Sequence, residues 1–193
     1  MEENIIYGKV IVIGDVAVGK TCLIHVIFNN EFLENVRSTY TPAQTILNAI
    51  DFRGVSKKIE FWDTAGEERF KSITSIYYRN TNIAIICFDS TIDDPFTGAK
   101  NWADSLLENW ASGRLIFVGT KADLISEEKQ HEILERADEA FKQYDPIDIV
   151  ITSSKVKLNI ESLKSLIINS VESLPVEAQP KVNYSELSQS SCC

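Results

Sequence analysis

Short apolar runs and amphipathic stretches alternate along this chain, the pattern of βαβ units. Lys9 to Ile13 is a β-branched run stopped by Gly14 and predicts a buried strand. Lys20 to Phe28, with Leu23, Ile24 and Ile27 at helical spacing, predicts a helix straight after it. Residues 46–52 and 56–62 predict two strands joined by a turn at Arg53-Gly54. Ile83 to Phe88 and Leu115 to Val118 are almost unbroken apolar runs, as expected of parallel strands covered on both faces. Helices are predicted over 95–111, 126–143 and 159–173, with a further strand at Asp148–Ile151. From about Leu174 the apolar periodicity stops, and prolines, serines and glutamines take over. The reading is one three-layer α/β domain over 1–174 and a flexible tail over 175–193.

Composition narrows the function without choosing it. Hydrophobic residues make up 44% and charged residues 24%, near the average for globular proteins. With 19 Lys plus Arg against 28 Asp plus Glu the net charge is −9, so the chain has no general electrostatic footprint for nucleic acid. Phosphates must be met by local backbone donors and a few lysines. No stretch reaches the roughly 20 apolar residues that span a bilayer, and the acidic Met1-Glu2-Glu3-Asn4 lacks the basic region of a signal peptide. A cytosolic protein is expected. Cys22 and Cys87 sit inside apolar runs, whereas Cys192 and Cys193 end the chain; their spacing suggests neither a zinc site nor a disulfide framework.

The strongest chemical signal is Gly14-Asp15-Val16-Ala17-Val18-Gly19-Lys20-Thr21, a complete G-x4-G-K-[ST] between a predicted strand and a predicted helix. Glycines allow the backbone to wrap close to phosphates, where loop N–H groups and a helix N-terminus present positive potential. Lys20 would place a charge on the β- and γ-phosphates, and the Thr21 hydroxyl would ligate Mg²⁺. The loop from Asp15 to Cys22 is therefore a nucleotide-phosphate site.

Three further segments choose the base: Trp62-Asp63-Thr64-Ala65-Gly66-Glu67-Glu68-Arg69-Phe70, Gly119-Thr120-Lys121-Ala122-Asp123-Leu124 and Ile151-Thr152-Ser153-Ser154-Lys155. Together with the phosphate loop they resemble the small Ras-like GTPases, in order and spacing, across residues 5–174. Arg69 to Thr74, Tyr77-Tyr78-Arg79-Asn80, Phe88-Asp89-Ser90-Thr91 and the terminal Cys-Cys resemble the Rab family in particular. The resemblance implies a P-loop G domain: a six-stranded, mostly parallel sheet flanked by five helices. It also implies a monomeric GTP/GDP switch in vesicle trafficking that hydrolyses GTP.

The chemistry of these segments supports the resemblance. Asp63 ends a strand, where its carboxylate would hold a water on Mg²⁺. Gly66 would bring a backbone N–H to the γ-phosphate. Asp123 offers two acceptor oxygens to the N1–H and N2–H₂ donors of guanine, which adenine lacks. The Lys121 stem would cover the purine face, the main-chain N–H near Ser154 would meet O6, Lys155 would support the base loop, and Leu124 and Ser153 count among the nucleotide-binding residues. Phe32, eleven residues beyond Thr21, falls where the family places an aromatic under the guanine.

Departures from the family pattern shape the expected rate. The first-switch Thr, whose hydroxyl ligates Mg²⁺, has two possible registers. Thr39 lies at the usual distance from both Thr21 and Asp63. Reading Tyr40-Thr41-Pro42-Ala43 as the common Tyr-x-Pro-Thr puts Ala43 there instead, and needs compensating length changes on both sides. Thr39 is preferred. Glu67 stands in place of the Gln that orients the attacking water; it can accept from that water but cannot donate to the γ-phosphate. Val16 replaces a Gly or Ser and would crowd the water and any inserted arginine. Slow intrinsic hydrolysis follows. Thr120 replaces the usual Asn, with one donor of shorter reach.

By resemblance the partners are an exchange factor, a GTPase-activating protein, effectors, a GDP-dissociation inhibitor and the prenylation machinery. Two prenyl groups on Cys192 and Cys193 would anchor the chain stably to the cytosolic face of an intracellular membrane, because each buried methylene contributes about 0.8 kcal/mol. The tail from Pro175 to Ser191 spans roughly 50 Å when extended. Two alternatives stand beside the switch: a GTP-bound tether that barely turns over, and an adenine-nucleotide enzyme, which Asp123 disfavours.

Overall fold

The computed structural model describes residues 5–34, 43–64, 78–108, 110 and 113–172. Six strands form one sheet: β1 (Ile6–Gly14), β2 (Ala43–Ile50), β3 (Ser56–Asp63), β4 (Ile83–Asp89), β5 (Arg114–Thr120) and β6 (Asp148–Ile151). Their order is β2-β3-β1-β4-β5-β6. Only β2 runs antiparallel, paired with β3 from Ala43↔Asp63 to Ile50↔Ser56. Four α-helices lie among the described residues: α1 (Lys20–Asn29), α2 (Phe96–Leu107), α3 (Glu127–Phe141) and α4 (Ile160–Ser170). They are four of the five helices that the resemblance implies.

Strand alternation divides β1 between two cores. Ile11 and Ile13 join Phe88, Phe117 and the inner residues of α2 and α3, including Trp102 and Phe141. Val10 and Val12 face the other way, onto Leu23 and Ile27 of α1 and Leu163 and Ile167 of α4. Both faces of the central strands are thereby buried, which is why β4 and β5 read as continuous apolar runs. Phe117 and Phe141 stack at 3.8 Å between centroids, and Phe96 meets Phe141 edge-on at 5.4 Å.

Differences from the sequence expectation fall at element ends, each with a local cause. The helix expected over 95–111 stops at Leu107, because Trp110 is drawn into the core and its indole N–H donates to Thr81 O at 3.1 Å. The strand expected to reach residue 52 stops at Ile50. Asp51 begins the turn, and its Oδ1 accepts from the N–H groups of Arg53 (2.9 Å) and Val55 (3.0 Å). The last helix ends at Ser170 instead of 173. Val171 turns extended, and the buried Lys57 ammonium donates to Ile168 O (2.7 Å) and Val171 O (2.6 Å).

Candidate functional site

The parallel strands end together at one edge of the sheet, and the loops leaving that edge carry the site. β1 terminates at Gly14, whose φ of +144° strains any side chain, and a Cβ there would overlap the Cys87 carbonyl oxygen. The loop continues through Ala17 at φ +62° and Gly19 at φ +99°, both in the left-handed region. Gly19 opens α1 without a side-chain cap, which leaves the helix N-terminus for another acceptor. Lys20, the first helical residue, is 6% exposed, and its ammonium donates to Gly14 O at 2.9 Å and Asp15 O at 2.7 Å. The cation thus sits inside the curl of the loop. Burial lowers its pKa below the ordinary lysine value, partly offset by the carboxylates of Asp63 and Asp15. Cys87 lies beneath it, fully buried, with burial pushing its thiol up to about 12, so it packs as an uncharged hydrophobe.

Beside Lys20, the Thr21 hydroxyl donates to Asp63 Oδ2 at 2.8 Å. This contact joins the start of α1 to the end of β3. Thr64 pins the same strand end by donating from its hydroxyl to Val12 O at 2.7 Å. A hydroxyl and a carboxylate adjacent to a buried ammonium form an all-oxygen donor pair of the kind hard divalent cations take, and Mg²⁺ fits it.

A second group of loops lies across the phosphate loop from this pair. The Thr120 hydroxyl, which carries a single proton, lies 2.5 Å from Val18 O and 3.1 Å from Phe88 O. Its donor is spent on the phosphate loop and β4, and the reach toward a base that the family's Asn would supply is not reproduced. Ser153 donates to Asp123 Oδ1 at 2.5 Å, orienting the carboxylate of a residue that is itself exposed. Ala122 N–H donates to Thr152 O (3.1 Å) and Thr152 N–H to Gly119 O (2.7 Å), so the two base-side loops are tied to each other through their backbones. Lys121, at φ +61°, pairs with Asp89 at 2.6 Å. That pair and Thr91 hold the Asp89 carboxyl below its usual range although burial opposes it. Leu124 is 64% exposed beside them.

Most of the residues expected at the site therefore gather at this one edge: Asp15 to Cys22, Asp63, Thr120, Lys121, Asp123, Leu124, Ser153, Ser154 and Lys155. Phe32 follows α1 and is half-buried. Thr39, Gly66, Glu67, Cys192 and Cys193 lie outside the described residues. Sequence reasoning missed Asp89 as the partner of Lys121. It also missed Trp102, whose indole N–H donates to Asp15 Oδ1 at 2.9 Å across 87 residues of sequence, a contact that no motif signals.

The sequence model of the Ras family matches residues 9–173. Among curated proteins, the Ras-related protein Rab-19 of Rattus norvegicus is 34% identical over 165 residues, covering 84% of this chain and 75% of that protein. Ras-related protein Rab-30 of Homo sapiens is 32% identical, covering 84% and 79%. For Ras-related protein Rab-13 of Bos taurus the identity is 34%, over 79% and 74%. A match across nearly the whole fold, together with relatives of one kind, settles the family: the chain belongs to the Ras family and is a Rab-type small GTPase.

Proposed function

We propose that the loop between β1 and α1, with the two base-side loops, is the guanine-nucleotide site of this switch. As a Rab-type small GTPase the chain hydrolyses GTP to GDP and acts as a molecular switch in vesicle trafficking. The observation that carries the site assignment is the convergence of the Lys20 ammonium with the bonded Thr21–Asp63 pair at the sheet's C-terminal edge. Two bonds fix the ammonium on the loop's own carbonyls, and a lysine has a third donor for the β- and γ-phosphates. Thr21, Thr39 and, through a water, Asp63 would hold Mg²⁺, which when bound neutralises phosphate charge. Asp123, oriented by Ser153, accepts the two guanine donors, and the stem of Lys121 covers the ring. Phe32 packs under the base, and Leu124, Ser154 and Lys155 close its loop.

Gly66 senses the γ-phosphate, and Glu67 occupies the water-positioning place. A carboxylate there adds charge next to an anionic phosphate, so intrinsic turnover is slow. Val16, 54% exposed in the loop, adds a branched side chain where an activating protein would insert its own groups. Membership in this family does not favour a tether that never turns over. The remaining assignments follow the family: exchange factor, activating protein, effectors, GDP-dissociation inhibitor, and prenylation of Cys192 and Cys193 for attachment to the cytosolic face of a membrane. Among the described residues no helix is long and apolar enough to cross a membrane.

The test is single-turnover GTP hydrolysis with Mg²⁺, beside Glu67→Gln. A slow native rate, raised about tenfold by Gln, is expected. An unchanged rate removes Glu67 from the water-positioning role. ATP competing equally with GTP for the purified protein removes the guanine assignment of Asp123.

A further inference from the structure

We infer that Trp102 is a positioning residue for the phosphate loop: its indole N–H holds the Asp15 carboxylate against α2, which fixes the Asp15 carbonyl that receives the Lys20 ammonium. The inference rests on the reading that Lys20 meets the nucleotide phosphates.

Three contacts make the chain of positioning. Trp102 is 3% exposed, wedged in the core between the sheet and α2, and has little freedom to move. Its Nε1 donates to Asp15 Oδ1 at 2.9 Å across 87 residues of sequence. Asp15 in turn offers its main-chain oxygen to Lys20 Nζ at 2.7 Å. Asp15 is itself exposed, so burial does not restrain it; the indole bond does. Gly98 completes the arrangement. It lies one helical turn before Trp102 on the same face, and a Cβ at that position would overlap Asp15 Oδ2. The helix therefore presents a donor at Trp102 and an opening at Gly98, and the carboxylate occupies both.

The electrostatic consequence concerns the ligand. A free carboxylate on the phosphate loop repels a nucleotide polyphosphate. Bonded to the indole and seated on the helix, it is turned toward α2 and its charge is partly satisfied. Loss of the bond both loosens the carbonyl under Lys20 and releases that charge.

The experiment is the dissociation rate of methylanthraniloyl-GDP from the full chain with Mg²⁺, measured beside the melting temperature. Asp15→Ala and Trp102→Phe are each expected to speed release about tenfold, and the double variant no further than either alone. Asp15→Asn keeps an acceptor oxygen and is expected to stay within about twofold of native. Gly98→Ala alters neither Asp15 nor Trp102 and improves helix propensity, while its added Cβ displaces the Asp15 carboxylate. It is expected to speed release without lowering the melting temperature, a combination that a merely structural role does not produce. Additive effects of Asp15→Ala and Trp102→Phe overturn the inference, as do native release rates in Asp15→Ala and Gly98→Ala. If Trp102→Phe does not fold, those last two variants decide. Lys20→Gln separates the two levels. Loss of nucleotide binding in Lys20→Gln with native release in the loop variants refutes only the role of Trp102. Native binding by Lys20→Gln refutes the phosphate-loop reading itself.

Discussion

Thr120 shows how one side chain can meet a loop and a strand while giving up a third contact. With a single hydroxyl proton near Val18 O and Phe88 O, it ties the base-side loop to the phosphate loop from a fully buried position. Thr120→Val keeps the shape and removes the donor. It is expected to cost about 1–2 kcal/mol in urea denaturation and to speed guanine-nucleotide release several-fold. Val16 belongs to the same scale. Val16→Gly is expected to raise turnover stimulated by an activating protein more than intrinsic turnover, as read in parallel single-turnover assays, because the proposed function has such a protein insert its groups beside these branched methyls. At this scale the sequence was readable where motifs name the residues that meet: Lys20 with its loop, and Thr21 beside Asp63. It was silent where the partner is distant and chemically ordinary. Asp89 stood in the sequence only as part of the Phe88-Asp89-Ser90-Thr91 resemblance, and Trp102 carried no assignment. Only the fold brings them to Lys121 and Asp15.

Elements were legible in their existence and blurred at their ends, for reasons visible in the contacts. Periodicity places each of the six strands and four helices, since both cores demand apolar residues at those spacings. It does not say where a helix gives way to a competing bond. Lys57 illustrates the competition. Buried in β3, it caps the end of α4 through two carbonyls and lies 3.3 Å from the buried Asp51 carboxylate, but in the sequence it is only a polar residue in an alternating strand. Lys57→Met is expected to cost about 2–4 kcal/mol, read from the urea midpoint, because the last turn of α4 loses its donor and Asp51 its buried cation. A surface lysine such as Lys129, paired only with Glu132 in the solvent, should cost almost nothing on the same change.

For the whole molecule, Asp51 supplies the pH dependence. Burial alone would raise its pKa, but the N–H groups of Val55 and Arg53, the Arg53 guanidinium and Lys57 hold it well below the usual carboxylate range. A folded-state value below the unfolded one stabilises the protein above the unfolded carboxylate pKa near ~4, and that stabilisation is lost as pH falls toward the folded value. Asp51→Asn is therefore expected to flatten the decline in urea midpoint between about pH 5 and pH 3, at the expense of stability near neutrality. The proposed prenylation of Cys192 and Cys193 is tested at this scale: Cys192→Ser together with Cys193→Ser is expected to move the protein from the membrane pellet to the supernatant after incubation in prenylating extract.

The bonds that close α4 also set how the domain carries mechanical load. Glu172 O accepts from Asn82 Nδ2 at 2.7 Å, Val171 O from Lys57, and Asn169 Oδ1 from Phe52 N–H, all at the edge of the sheet opposite the phosphate loop. Tension applied to the chain beyond Glu172 enters through these bonds, into the turn between β2 and β3 and the loop before β4. The loops that hold Lys20, Thr21 and Asp123 are at the far end of the strands and off that force path. A tug on the tail would strip the last turn of α4 before it disturbed the loops of Lys20, Thr21 and Asp123, so the C-terminal side of this domain can bear strain while those loops keep their bonds.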